Sequence, residues 1–512
     1  MPLFQRAIGL DPNFAMGYTQ LGLSYKSLGE SELAAENIRK AYELRERVSE
    51  PEKLHIESSY YFHVTGDLEK ARQAYELWAQ IYPRQGQPRG LGSWVYCALG
   101  QYDKALEQIR EARRLDPTLA IAYADLAHHS LLLNRLEDAR ATAEEAQAKS
   151  LDSPWLHLNL YRLAFLQNDA AGMARELVWS KGKPGLEDVL SANEADTTAY
   201  SGRLGRARKL SRQAVASAER AVQKETAADY QAEAALREAL FGDAAEARER
   251  TREALGLSTG RDAQYGAALA LTFGGDAARE QTQIQRLAHD LDRRFPEDTV
   301  VQFNYLPTIR ARLALSRNDA PKAIEALQAA TSYDLGSPTR PPFSVALYPV
   351  YVRGEAYLAM HQGSEAAAEF QKILDHRGVV FNEPIAALAH LGLARAYALA
   401  GDTTKAHVST KTSSRYGETP TLTFPSSNEQ KRSTLTCSEP RTSPHARALS
   451  VCFSGSRNNV INTSRLCRRP RRAPSGADRA QSSPGGMVRA SGAKIAAKLA
   501  GLAAPTPPKS YE

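Results

Sequence analysis

Residues 15–44, AMGYTQLGLSYKSLGESELAAENIRKAYEL, decide the fold of this chain. Small residues stand at Gly22, Ala34 and Ala41, with large apolar residues three or four positions away from them. That spacing places the small side chains on one face of each of two helices. Two antiparallel helices approach closely only where their side chains are small, so the stretch predicts a helix hairpin closed at these positions.

The same pattern returns along the chain with a fixed period of 34 residues. One packing position recurs at Ala71, Ala105, Ala139, Met173 and Ala207, and a second recurs at Tyr75, Ile109, Ala143, Leu177 and Ser211. Proline, which cannot continue a helix, follows the second helix of several units at Pro12, Pro83, Pro117 and Pro296. A period of this length predicts stacked helix pairs, each covering the apolar face that its neighbour leaves bare.

The first unit also carries a recognisable signature. Tyr18, Leu21, Gly22 and Tyr25 follow the spacing W-x2-L-G-x2-Y, and the stretch resembles the tetratricopeptide repeat family over about residues 1–406. The resemblance implies an all-α fold, a right-handed α-solenoid of roughly ten helix pairs. A disordered C-terminal tail is expected to follow it.

The repeat pattern divides the chain into five segments. We expect a truncated half repeat at 1–13, a repeat array at 14–259, an irregular helical repeat at 260–298, the C-terminal part of the array at 299–406, and a disordered basic tail at 407–512. Because Met1 falls inside a helix without its partner helix, we expect either a misplaced start codon or a fragment of a longer protein.

The tail differs from the body in charge and in composition. Residues 411–512 hold 17 Lys and Arg against 5 Asp and Glu, so the remaining 48 basic and 53 acidic residues give residues 1–410 a net charge of −5. A reading frame shifted by one base permits further helices followed by a stop codon. We therefore expect residues 411–512 to be out-of-frame translation and give the tail no functional role.

No catalytic motif stands out. The sequence lacks G-x-x-x-x-G-K-[ST], H-E-x-x-H and G-x-S-x-G, and no Cys or carboxylate cluster accompanies His128-His129 or the pair His55 and His63. We therefore expect a protein that is not an enzyme, with no cofactor and no bound metal.

The resemblance does imply a binding face. In tetratricopeptide arrays the first helix of each pair lines a concave groove, and the residue after the small packing site points into it. Carried onto this sequence, that geometry selects Leu23, Tyr60, Trp94 and His128, and one turn later Lys26, His63, Cys97 and Leu131. Exposed Tyr and Trp side chains are favoured anchors for a partner. The alternative is that Tyr60 and Trp94 only pack against neighbouring helices.

The functional expectation is a cytoplasmic scaffold that binds a protein or peptide, such as an extended or helical apolar segment, in this groove. A small-molecule substrate, nucleic acid and a membrane span are not expected, whereas self-association is left open. The stretch around residues 39–83 also resembles repeat arrays attached to bacterial serine/threonine kinases or transcription regulators. A detached regulatory or sensor segment of such a protein is therefore the alternative.

Overall fold

Small residues close the helix pairs as the pattern predicts. In the computed structural model, a Cβ added to Gly22 would lie 2.6 Å from Cγ1 of Ile38 and 3.0 Å from the carbonyl oxygen of Ala34. Any larger residue at position 22 would therefore force the helices Ala15–Ser27 and Ser31–Glu43 apart. The two helices meet because their sequence leaves room for backbone contact.

Several helix pairs have the same two-residue sequence signal in the turn between their helices. A residue with positive φ is followed by an aspartate that caps the next helix, as at Gly66-Asp67, Asn168-Asp169, Gly242-Asp243 and Asn318-Asp319. Glycine and asparagine tolerate the left-handed conformation, and the aspartate carboxylate accepts the free N–H three residues later. These two-residue signals set where each second helix begins.

The structure describes residues 1–183, 185–275, 277–337 and 346–415. Their α-helices are α1 Pro2–Leu10, α2 Ala15–Ser27, α3 Ser31–Glu43, α4 Glu50–Tyr60, α5 Leu68–Ile81, α6 Gln87–Ala98, α7 Tyr102–Leu115, α8 Ala120–Leu132, α9 Leu136–Ala148, α10 Pro154–Leu166, α11 Ala170–Ser180, α12 Glu187–Tyr200, α13 Leu204–Arg220, α14 Lys224–Leu240, α15 Ala244–Leu257, α16 Arg261–Phe273, α17 Ala277–Arg294, α18 Leu306–Ser316, α19 Ala320–Leu327, α20 Tyr348–Ala359, α21 Gly363–Asp375, α22 Arg377–Val380, α23 Pro384–Leu399 and α24 Thr403–Arg415.

The all-α solenoid prediction is confirmed, and within the described ranges the chain forms no β-strand. Successive helices pack as antiparallel pairs, and each pair packs on the next. In the segment predicted to be irregular, α17 is 18 residues long and ends directly before Phe295-Pro296. Two π-helical turns, Tyr61–Thr65 and Val301–Tyr305, also interrupt the regular pattern.

One feature was not expected from the repeats: early turns of the solenoid contact much later ones. We call this set of contacts the closure seam. Its hydrogen bonds join residues 28, 30 and 32 to 225 and 226, residues 66 and 68 to 299, residues 97 and 102 to 337 and 335, residue 134 to 375 and 378, and residues 193 and 197 to 382. Repeats in a solenoid ordinarily contact only their neighbours, whereas these bonded residues lie between 185 and 244 positions apart.

The last helix extends the ordered repeats beyond the predicted boundary. We expected disorder from residue 407, but α24 continues to Arg415. Asp402 caps it by accepting a hydrogen bond from the N–H of Lys405 at 3.0 Å, and Ser409 is buried. The rest of the predicted tail, 416–512, lies outside the described residues, as does all of the unit 430–512.

Candidate protein-binding face

The eight residues selected from the sequence lie on the first helices of four consecutive pairs. Leu23 and Lys26 lie on α2, Tyr60 and His63 at the end of α4 and in its π turn, Trp94 and Cys97 on α6, and His128 and Leu131 on α8. Leu23, Lys26, Tyr60, His63 and Trp94 are partly exposed, whereas the other three are buried. The face therefore divides into an accessible part near the first pairs and a covered part beyond it.

The two predicted aromatic anchors also pack against neighbouring helices. The ring of Tyr60 stacks on Tyr42 with 3.8 Å between centroids. The indole N–H of Trp94 donates to Oδ2 of Asp125 at 3.0 Å, and its ring stacks on His128 at 5.2 Å. Each aromatic side chain thus joins adjacent pairs while keeping part of its surface accessible.

Cys97, His128 and Leu131 depart from the expectation of an open groove. Cys97 and Leu131 are 0% exposed and His128 is 7% exposed, so in this structure they are not available to a partner. The closure seam is the reason: the N–H of Ser337 donates to the carbonyl of Cys97 at 3.0 Å, and Phe381 lies 6.3 Å from the His128 ring. Later helices occupy the position predicted for a ligand.

The buried thiol belongs to a small polar cluster. Sγ of Cys97 lies 3.4 Å from Nδ1 of His129, whose Nε2 lies 3.0 Å from Oγ of Ser93. All three residues are 0% exposed. Because a thiol that solvent and substrates cannot reach is inert, this cluster has a packing role.

The same inner face continues further than the sequence reasoning carried it. Counting 34 residues onward from Lys26, Tyr60, Trp94 and His128 leads to Arg162 and Asp196, on α10 and α12. We call these six residues the inner ladder. Reasoning from the small packing sites did not reach the last two, although steps of 34 residues lead to them.

Charges on the far part of the inner ladder are enclosed by protein. Burial lowers the pKa of Arg162 to about 10, partly opposed by the charges of Glu233 and Glu383. Burial also raises the pKa of Asp196, against the attraction of Arg237, which donates to its carboxylate. Buried charges of this kind destabilise a fold unless they are paired, so the inner face is unlike an ordinary apolar core.

Acidic side chains surround Lys26, the first residue of the ladder. Nζ of Lys26 donates to Oγ of Ser31 at 2.9 Å, and burial, followed by the charge of Arg261, lowers its pKa. Across the closure seam, Oε2 of Glu225 accepts a hydrogen bond from the N–H of Glu32 at 3.0 Å. Burial raises the pKa of the Glu225 carboxyl to about 7, with Glu30 and Glu32 adding repulsion and Lys26 opposing it.

Glu225→Gln is expected to stabilise the protein at pH 8 but not at pH 5. A carboxyl whose pKa is raised by folding contributes stability at low pH, and this contribution is lost as the pH rises through about 7. The glutamine side chain cannot ionise, so the variant does not lose stability as the pH rises. The expected gain in the free energy of unfolding at pH 8 is about 2 kcal/mol. Urea denaturation at the two pH values measures it. Exposed Glu219→Gln is the control, and an equal gain from both variants would contradict the assignment.

Two further observations bear on what this face binds. No group of three or more His, Cys, Asp or Glu side chains within the described ranges is placed to hold a metal ion. Across the same residues, every helix is too short or too polar to cross a membrane.

Comparisons with known proteins place the repeat class. Residues 93–154 and 351–406 match the family model described as tetratricopeptide repeat. These residues include the second half of α6, all of α7 to α9, most of α20 and all of α21 to α23, so helix pairs in both halves of the solenoid match this repeat model. No curated protein gives a significant match.

Solved structures with a similar succession of helices are distant in sequence. Yeast Tom70 is 14% identical, with 78% of this chain and 91% of that chain covered and a TM-score of 0.29. The human IFIT1 dimer with m7Gppp-AAAA is 12% identical over 79% and 90%, with a TM-score of 0.36. A tetratricopeptide repeat protein from Parabacteroides merdae is 12% identical over 61% and 98%, with a TM-score of 0.27.

Proposed function

We propose that this protein is a non-catalytic scaffold that binds a segment of another protein along the inner face of its solenoid. The observation that carries the proposal is the inner ladder, which repeats polar and aromatic side chains every 34 residues from Lys26 to Asp196. Packing alone would favour apolar residues there, because buried polar groups destabilise a fold unless they find partners. A fixed row of such groups suits recognition of a chain that runs along it.

Binding is proposed at the near part of the ladder. Leu23, Lys26, Tyr60, His63 and Trp94 keep exposed surface on α2 to α6, whereas His128 and Arg162 are buried beside the much later residue Phe381. Tyr60 and Trp94 are held in place by their stacking partners, so little side-chain entropy is lost on binding. The partner segment gains affinity from preorganised anchors rather than from covalent chemistry.

Selection from a random 12-residue peptide library displayed on phage, with the full chain as target, tests this function. We expect enriched peptides whose binding protects α2, α4 and α6 from hydrogen exchange. Trp94→Ala is expected to weaken a selected peptide about tenfold, since an aromatic anchor contributes more than 1 kcal/mol. Phe303→Ala, which removes another partly exposed aromatic ring, is the matched control.

The outcomes separate binding from packing. If no peptide is enriched, or if protection maps only to second helices such as α5 and α7, the inner face is not the binding surface. If Trp94→Ala lowers thermal stability but leaves peptide affinity unchanged, the indole serves packing alone.

The resemblance to arrays attached to bacterial kinases or transcription regulators stays a prediction. Genomic sequence upstream of the codon for Met1 tests it. An in-frame kinase or winged-helix domain would support a regulatory segment, and an intergenic region would argue against it.

A further inference from the structure

A segment of the chain itself lies against the inner face, in the connection between α21 and α23. Other pairs are joined by shorter turns, such as the four residues 116–119 between α7 and α8, whereas the eight residues 376–383 separate Asp375 from Pro384. The additional length includes the single helical turn α22. We call residues 375–382 the docked segment.

The docked segment forms hydrogen bonds with first helices of the earlier pairs. At the end of α10, the carbonyl of Leu166 accepts a hydrogen bond from Nη2 of Arg377 at 3.0 Å. On α12, Nδ2 of Asn382 donates to the carbonyl of Asn193 at 2.8 Å and lies 3.0 Å from Oγ1 of Thr197. The segment therefore crosses successive pairs, as a chain bound along the inner face would do.

Phe381 is the aromatic side chain of the docked segment, and it lies between two members of the inner ladder. Its ring is 6.3 Å from the ring of His128 on α8, and the guanidinium carbon of Arg162 on α10 lies 4.6 Å from its centroid. His128 stacks in turn on Trp94, which keeps accessible surface. Among the described residues nothing accepts a hydrogen bond from Nε of Arg162, so the ring face of Phe381 is a principal contact of this cation.

The backbone at Phe381 is strained. Its φ is 46° and its ψ is −121°, and a residue with a Cβ rarely adopts a positive φ. Such a conformation persists only where the surrounding contacts hold it in place. Release of the segment from the inner face would relieve this strain, which favours its exchange for another chain.

The docked segment thus has the features of a bound peptide: an extended course across successive pairs, one aromatic anchor and one side-chain amide bonded to a helix. We propose that it is an internal ligand, which the partner segment displaces by placing an aromatic side chain of its own between His128 and Arg162. The inference rests on the proposed function. It extends the binding surface from α6 to α12 and requires an aromatic residue in the partner.

A labelled peptide with the sequence DHRGVVFNE, residues 375–383, tests the proposal by fluorescence polarisation with the full chain. In the wild-type protein the tethered copy competes at a high effective concentration, so weak binding is expected. Phe381→Gly removes the anchor of the tethered copy and relieves the strain. This variant is expected to bind the peptide about tenfold more tightly than the wild type, since an aromatic anchor is lost from the competitor.

Asn382→Ala provides a second variant that keeps the buried ring. It removes two hydrogen bonds of the tethered copy, so a gain of about fivefold in peptide affinity is expected. Phe303→Ala is the control, because its ring stacks on Tyr333 outside the docked segment, and it is expected to leave peptide affinity unchanged. Circular dichroism and urea denaturation check that each variant is folded.

Two further measurements locate the peptide. In the Phe381→Gly chain, Arg162→Gln is expected to weaken the peptide about tenfold, because a desolvated contact between cation and ring is lost. The same peptide with alanine in place of its phenylalanine is expected to bind at least about tenfold more weakly.

Several results would overturn the proposal. These are equal peptide affinity in the wild type and both variants, equal affinity for the alanine peptide, and no effect of Arg162→Gln. A mixed dimer of wild-type and Phe381→Gly chains in size-exclusion chromatography would assign the site to a second copy of this chain and would also overturn it.

The library selection separates this inference from the function on which it rests. Enriched peptides that contain an aromatic residue and speed hydrogen exchange at residues 376–383 would support both. Enriched peptides that protect α2, α4 and α6 but leave exchange at 376–383 unchanged would overturn the inference and leave the scaffold function standing. A library without enriched peptides would overturn the scaffold function, whereas the DHRGVVFNE measurement would still decide whether the site takes an aromatic segment.

Discussion

Gly378→Ala is expected to break the closure seam between α8 and α22. A Cβ at this position would lie 1.7 Å from the carbonyl oxygen of Leu131, which is backbone and cannot rotate away. The two segments must separate, with loss of the hydrogen bond from the Gly378 N–H to Oδ1 of Asn134 at 2.8 Å. We expect a loss of about 3 kcal/mol in the free energy of unfolding, at the upper end for an overpacked site.

Hydrogen exchange measures where the protein opens. Faster exchange is expected both at residues 131–135 and at residues 375–381, although they are far apart in sequence. Gly205→Ala provides the matched control, because nothing lies within 4 Å of a Cβ there and the glycine is helical. This control is expected to stabilise by about 0.5–1 kcal/mol. A loss of stability without faster hydrogen exchange at residues 131–135 would contradict the claim that Gly378 is needed for the contact between α8 and α22.

Asp334→Asn is expected to cost about 3–5 kcal/mol, the range for breaking one partner of a buried ion pair. The Asp334 side chain is 2% exposed, and its Oδ2 accepts from Arg353 at 2.5 Å and from Lys372 at 2.7 Å. The uncharged asparagine side chain cannot neutralise the charge of Arg353 or of Lys372. Urea denaturation at neutral pH gives the loss directly.

An exposed ion pair serves as the comparison. Lys40 and Glu43 lie 2.9 Å apart with side chains 48% and 56% exposed, so Glu43→Gln is expected to change stability by less than about 0.5 kcal/mol. A loss below about 1 kcal/mol for Asp334→Asn would mean that Glu369, 3.1 Å from Arg353, can take over the pairing.

Features that depend on neighbouring residues could be predicted from the sequence. The small residue at Gly22 and its contact with Ile38 follow from a local spacing, and the same spacing places Ala71 and Tyr75 in the core. A helix pair is specified within about 34 residues, so its pattern repeats in the sequence. For the same reason the period identifies the inner ladder, including the members that were missed.

The closure seam could not be predicted in this way. Its contacts, such as that between Leu131 and Gly378, depend on the sum of the small rotations between successive repeats. No local sequence pattern encodes that sum. Cys97 and Leu131 were therefore assigned to an open groove that the later helices fill. The environment of Glu225 depends on the seam in the same way, because the N–H of Glu32 that bonds its carboxylate comes from a distant part of the sequence.

The seam also has a consequence for synthesis of the protein on the ribosome. The end of α8 meets its partner only after a further 247 residues have been made, since Leu131 contacts Gly378. At 5–20 residues per second this interval is about 12 to 50 s. Throughout that time Cys97, His128 and Leu131 lack the later helices that bury them in the finished fold. The nascent first half therefore exposes side chains that are buried in the mature protein. This is the stage of synthesis at which binding of a molecular chaperone would matter most.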